Sequence, residues 1–311
     1  MATQHDAISA WNQLDDGQQK AVIKKLWLAG GGKKGGMEAF WAILRGELRV
    51  DLTDVSVKLI DATVRAIPPA KFGYGVTDAN TSFSWTKPTL DLRAIYDAYR
   101  AIIPAELSIV TFEEFVGEYQ AIMGQIEANR QVANAKNGLC LPVIMPKHDI
   151  DDYGQVLEDL YLKMVEAAYK KAFSNRTFEN CRRGELTGQV QVVPETRHDR
   201  LLSLMCERSV VGVYNPIFQG FGLEADRAIM KLFPDNWLLA GPIDTAMAIV
   251  GHSATLASDF NTPALDCAAV QWQDPEVSLC FIPDDSRLFF DDRSLRASEC
   301  FSGGVLVLRQ P

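Results

Sequence analysis

The sequence is poor in the residues from which most catalytic sites are assembled, with four histidines among 311 residues. It contains no G-x-S-x-G, no H-E-x-x-H and no EF-hand loop, so the usual signatures of serine hydrolases, zinc peptidases and calcium sensors are missing. The six cysteines, Cys140, Cys181, Cys206, Cys267, Cys280 and Cys300, are widely spaced with no C-x-x-C. Such a pattern reads as reduced thiols that mostly fill the core. No apolar run approaches the ~20 residues of a membrane span; the longest, Trp237–Val250, is broken by Pro242 and Asp244. The opening Met-Ala-Thr-Gln-His-Asp has neither a basic n-region nor an apolar h-region. The expected location is therefore the cytoplasm, of a cell or of a host, with no membrane contact.

Positive charge is also in short supply. Net charge is −9, which argues against broad nucleic-acid binding, although a local basic groove stays open. The deficit is uneven: residues 1–135 hold 14 Lys and Arg against 16 Asp and Glu, the remainder 17 against 24. A polyanion would be repelled less by the first part.

What is present is 47% hydrophobic and 23% charged residues, the balance of a folded globular chain long enough for one large or two ordinary domains. The pattern predicts an α+β protein. A helical N-terminal lobe, 1–136, carries one small β-hairpin near 71–86, and a mixed α+β lobe, 137–311, ends in antiparallel strands. Met37, Phe40, Trp41, Leu44 and Leu48 make a helical stripe, and Val57, Ile60, Val64 and Ile67 suggest another helix stopped by Pro68. Phe72, Tyr74 and Val76, then Thr81, Phe83 and Trp85, alternate as hairpin strands would. Helices are expected at 90–103 and from Phe112 to about Lys136, the latter opened by a Thr111/Glu114 capping box. Beyond Gly138 the expectations are a strand at Leu139–Met145 and a capped helix from Asp152 to Phe173. Helices at 198–208, 223–233 and 243–258 and strands at 210–214, 268–273, 277–282, 287–290 and 305–309 complete the reading.

Three places can carry chemistry. Gly30–Gly36, Gly-Gly-Gly-Lys-Lys-Gly-Gly, is not a P-loop, since the strand before it and the Ser/Thr after it are missing. Its glycines can turn N–H groups inward at the start of the next helix, making Lys33, Lys34, Gly35 and Gly36 an anion nest. Glycine past a helix end also suffices for a plain joint between helices, and that is the better-supported of the two. The aromatic hairpin, with Tyr74 and Trp85 flanked by Lys71 and Lys87, can stack bases or simply cover apolar neighbours. The dipeptides His148-Asp149 and His198-Asp199, with Asp244 or Asp259 as a late acid, offer ligands of the kind a metal-dependent phosphohydrolase uses. Against that, Asp149, Asp151 and Asp152 are equally suited to capping the following helix, with His198 on the surface. His252 with Cys267 or Cys206 is a further pairing that sequence alone does not bring together.

The reading that fits best is a non-catalytic binding or assembly subunit of a larger complex. It would self-associate or hold a protein partner, and contact an anionic ligand or nucleic-acid backbone through residues 30–36, with no cofactor. A metal-dependent phosphohydrolase using His148, His198 and Asp199 is one alternative. A viral or phage-like structural protein is the other.

Overall fold

The computed structural model describes residues 19, 20, 23, 58–68, 75–78 and 82–310. Lys33, Lys34, Gly35, Gly36 and Tyr74, and with them the glycine loop and half of the aromatic hairpin, lie outside the described residues. The chain divides into two compact units, Met1–Lys58 with Pro68–Gly73, and Leu59–Ile67 with Tyr74–Pro311. The boundary expected between residues 136 and 137 falls inside the second of these, to which every helix and strand from Leu92 onward belongs.

Helix α1 (Leu92–Ile102) starts where Asp91 accepts from the backbone N–H of Arg93 and Ala94. Helix α2 (Phe112–Ala128) opens on the expected capping box, Thr111 and Glu114 each satisfying the other's free N–H. Strand β1 (Leu141–Met145) is followed by α3, a rod made of Tyr153–Val156, a wide π turn Leu157–Tyr161 and Leu162–Ala172. Asp152 caps it by accepting from Gln155 N–H. Then come β2 (Thr177–Asn180), β3 (Val190–Val192), α4 (His198–Glu207), β4 (Val210–Gln219), α5 (Leu223–Ile229) and β5 (Trp237–Leu239). Helix α6 (Pro242–Leu256) precedes β6 (Ala264–Asp266), β7 (Val270–Trp272), β8 (Val277–Pro283), β9 (Arg287–Ser294) and β10 (Phe301–Val307).

The architecture is α+β, built on a mixed eight-stranded sheet in the order β1-β4-β10-β6-β8-β9-β2, with β5 also paired to β10. β10 runs antiparallel to β4 and β5 but parallel to β6, and β2 runs parallel to β9. The end of the chain is thus mixed, where alternation alone suggested antiparallel strands. Every residue of β1 is buried, as is β4 except at Gln219, so both faces of this end of the sheet are covered. Helix α6 packs on β1 and α3, α1 on α6, and α2 on β4.

β4 keeps Pro216 in an inner strand because the ladder is broken there. Asn215 pairs with Val305 but Phe218 with Gly303, so Pro216 and Ile217 together face one residue. A proline has no N–H to give, and a bulge removes the need for one. The carbonyl of Ile217 is freed by the same device and accepts from Ala66 N–H at 2.8 Å.

Three segments depart from the sequence pattern. Residues 58–67 form a short hairpin-like loop around a turn at 61–64 and not the end of a helix: Ile60 bridges Ala66, and Ile67 N–H donates to Leu59 O at 2.8 Å. The Asp61 carboxylate accepts from Thr63 and Arg65 N–H, the local alternative to helix that aspartate offers. Val76 bridges Phe221 on the β4–α5 link, and residues 82–86 make no strand, so the described part of the aromatic hairpin pairs elsewhere. The run 268–273 is strand only at Val270–Trp272, which form β7.

Candidate functional site

Two groups of polar side chains stand out in the second unit, one sealed and one open. The sealed group begins at the start of α6. Gly241-Pro242 turns β5 into the helix, with proline at the first helical position, where its missing N–H costs nothing. Asp244 Oδ1 accepts from Gly241 N–H at 2.8 Å. Below it Tyr153 O–H lies 2.9 Å from His198 Nε2 and accepts from Ile243 N–H at 3.4 Å. His198 Nδ1 is 3.8 Å from Asp244 Oδ1, too far for a hydrogen bond. Tyr153, His198 and Asp244 thus line up as donor, imidazole and acid, and His198 and Asp244 are 0% exposed. Burial drives the imidazole down to about 4 and the Asp244 carboxyl up to about 8, so both favour their neutral forms.

Further along, Asp266 on β6 pairs with Arg293 at 2.5 Å in the interior. Asp226 on α5 is fully buried, and neither of its oxygens has a hydrogen-bond partner among the described residues. Burial holds its carboxyl well above the usual range, and the neighbouring Asp266 adds to the shift. Arg293 and Arg227 oppose that shift, but neither bonds the carboxyl, and a protonated Asp226 is the state such a site favours. Cys267 and Cys280 lie in the same interior, their thiols pushed well up by burial, which opposes the thiolate a nucleophile needs.

The open feature is a groove of about 530 Å³ where the sheet ends at β1, β4 and β10. Its floor is apolar, formed by Ile109, Val110, Leu204, Val210, Val211 and Leu308. Its rim carries Lys147, Arg200, Arg208 and Arg309 against Glu114, Glu118 and Glu207. Arg309 is brought there by a clamp on the last residues. Gln125 and Gln310 exchange two hydrogen bonds, 2.9 and 3.1 Å, and Asn236 holds Leu308 through both N–H and C=O. Arg309 then pairs with Glu118 at 2.9 Å, and Glu114 is committed to the α2 cap. Among the described residues no acid pairs with Lys147 or Arg208. Nothing in the sequence marked this cluster, because its cations come from three separate segments.

Of the residues singled out from the sequence, His198 and Asp244 come together in the sealed group, and the others are dispersed. Trp85 packs against the core and lines a second pocket of about 270 Å³ with Arg65, Lys87 and Asn215, its indole N–H without an acceptor among the described residues. His148 sits after β1, its N–H bonded to Met205 O at 3.0 Å. His198 points inward and Asp199 outward from the first turn of α4. Asp259 folds back on the loop Asn261–Thr262. His252 is buried at a kink in α6 with Nε2 2.9 Å from Pro142 O, and Cys206 is exposed on α4. No three His, Cys, Asp or Glu side chains among the described residues come together as a set that could hold a metal ion. No helix among them is long and apolar enough to cross a membrane.

Comparison with known proteins adds no relative: no family model, no curated protein and no solved structure matches the chain.

Proposed function

We propose that this chain is a non-catalytic binding or assembly subunit of a larger complex. One observation carries the reading: His198, His252, Asp226, Asp244, Asp266 and Cys267 are shut inside, while the larger of the two open concavities described is a charged groove over an apolar floor. General acid–base or nucleophilic work needs its groups within reach of a substrate. His198 and Asp244, at 0% exposure, offer none to solvent, whereas Lys147 and Arg208 project charge into an open groove. An anionic contact through Lys33 and Lys34 in the 30–36 loop remains part of the proposal, and Trp85 with Arg65 and Lys87 supplies an aromatic pocket suited to the same kind of ligand.

The test is the mass of the purified protein by size exclusion with light scattering, alone and with a single-stranded oligonucleotide, together with phosphatase assays in the presence of divalent metal. Self-association or a complex, with no metal-dependent turnover, is expected. A strict monomer that ignores the oligonucleotide and hydrolyses a phosphate ester, losing that activity in His198→Ala, overturns the reading in favour of a phosphohydrolase.

A further inference from the structure

The sheet presents two complementary features at its opposite ends. The groove borders the C-terminal ends of β1 and β10 and the start of β4, which the pairing places together: Met145 is opposite Val210, and Val307 opposite Val213. β6 runs parallel to β10, and β8 antiparallel to β6. The β8–β9 turn, Pro283 to Arg287, therefore lies at the other end of the strands. There Phe260 is 60% exposed, the most exposed of the large hydrophobic side chains described. It leans on Phe83 at 6.0 Å between ring centroids, and its N–H donates to Asp285 Oδ1 at 3.2 Å. Asp284 Oδ1 accepts from Asp285 N–H, and among the described residues neither acid has an ion-pair partner. The feature is an aromatic knob edged by two carboxylates without a cation among the described residues.

The groove is its inverse: an apolar floor of Leu204, Val210 and Leu308 edged by Lys147 and Arg208, two cations with no acid of their own among the described residues. We infer that the occupant of the groove is a second copy of this chain, which inserts Phe260 over the floor and sets Asp284 and Asp285 against Lys147 and Arg208. The inference rests on the assembly reading above and names the partner for it. A nucleic-acid backbone suits this groove less well, since a run of phosphates would meet Glu118 and Glu207 as well as the cations, whereas the knob carries two carboxylates for two cations unpaired among the described residues.

Because knob and groove sit at opposite ends of one sheet, the contact is head-to-tail. A contact between unlike surfaces does not close on two copies; it continues into a ring or a filament. An aromatic anchor in a pocket is the kind of residue that dominates an interface, while the charges mainly set register and rate. One anchor and two exposed ion pairs make a small interface, so assembly should depend on concentration and weaken with salt.

The experiment uses the full chain and two variants, a groove variant Lys147→Glu with Arg208→Glu and a knob variant Phe260→Ser, each checked for a wild-type thermal transition. Sedimentation velocity of the wild type over a wide concentration range should show species beyond the dimer, and each variant alone should stay monomeric. An equimolar mixture of the two variants holds one intact groove and one intact knob per pair. It should give a dimer, twice the monomer mass, and nothing larger. Variants that assemble as the wild type does, or a mixture that stays monomeric, overturn the knob-in-groove contact. In the first case the wild-type oligomer persists and the assembly reading survives the loss of this partner surface. A wild type that is monomeric at every concentration also removes the contact, and leaves the assembly reading to the oligonucleotide arm of its own test.

Discussion

The sealed cluster and the open groove use the same kinds of residue to opposite effect. In the first, His198, Asp226, Asp244 and Asp266 are 0% exposed, and burial moves each toward its neutral form. In the second, Lys147, Arg200 and Arg208 are exposed over an apolar floor. A buried charge couples to folding, because its protonation state differs between folded and unfolded chain. A surface charge couples to partners, because it contributes little to folding and acts at a distance. The cluster should accordingly respond to pH and to packing changes through stability, and the groove through association.

The sharpest way to break that contrast is pH. Asp244 has a folded pKa of about 8 against an ordinary 3.8, so it holds a proton in the folded state that the unfolded state has lost. Its contribution is complete at low pH and disappears as pH rises toward 8. Asp226, shifted in the same direction, behaves likewise. His198 and His252, lowered from 6.5 to about 4, act in the opposite sense: their contribution is complete above 6.5 and is lost as pH falls toward 4. Between 4 and 6.5 the two sets oppose one another. Above 6.5 only the acids titrate, and stability should fall by about 1.4 kcal/mol per pH unit for each that remains protonated. Urea unfolding at pH 6.5 and 8 measures this, and Asp226→Asn should flatten the decline. A midpoint that is level or rising over that window would show the acids to be ionised in the folded protein.

Next in size is a packing test of the same interior. A Cβ on Gly303 would lie 2.2 Å from Asp226 Oδ2 and 3.3 Å from Phe218 Cβ. Gly303 sits in β10 with partners on both sides, so the strand cannot simply move away. Gly303→Ala should cost about 3 kcal/mol, the upper range for overpacking a tight core. Pairing it with Asp226→Ala, which removes the opposing carboxyl, should recover part of that loss. No recovery would place the strain elsewhere.

Much of the fold was legible in the sequence where the determinants are local. The Thr111/Glu114 box and the Asp152 cap are contacts within four residues, and each is found as expected. Of the four acids at 284, 285, 291 and 292, only the first two sit in a turn; Asp291 and Asp292 lie within β9 and pair with Arg182. Long-range determinants were not legible. His198 reads as a surface residue because its partner Tyr153 is 45 positions away, and the Asp266–Arg293 pair spans 27. The helical spacing of Ile60, Val64 and Ile67 was overruled by Asp61, whose carboxylate offers the backbone a turn, and by Gln131 O and Ile217 O, which accept from Leu59 and Ala66 N–H. The groove escaped notice for the same reason as the buried pairs: α2, α4, the residues after β1 and the clamped C-terminal residues each supply part of it.

The smallest expected effect is also the one that isolates the groove. Arg208 is exposed at the end of α4, and its backbone N–H closes the helix on Leu204 O at 2.9 Å. Its side chain meets no acid among the described residues, so Arg208→Glu removes no ion pair there. It does place a negative charge at a helix C-terminus, which is unfavourable by roughly 0.3–1 kcal/mol at most when exposed. Arg208→Gln removes the positive charge without adding a negative one, and should stay within about 0.5 kcal/mol of the wild type, as surface substitutions do. If the groove serves association, both variants should weaken it, the glutamate more than the glutamine, while their unfolding midpoints stay close together. If instead both variants unfold markedly earlier, Arg208 holds the fold through contacts of its aliphatic stem. The separation of charge that binds from charge that folds would then fail at the residue where it is most clearly drawn.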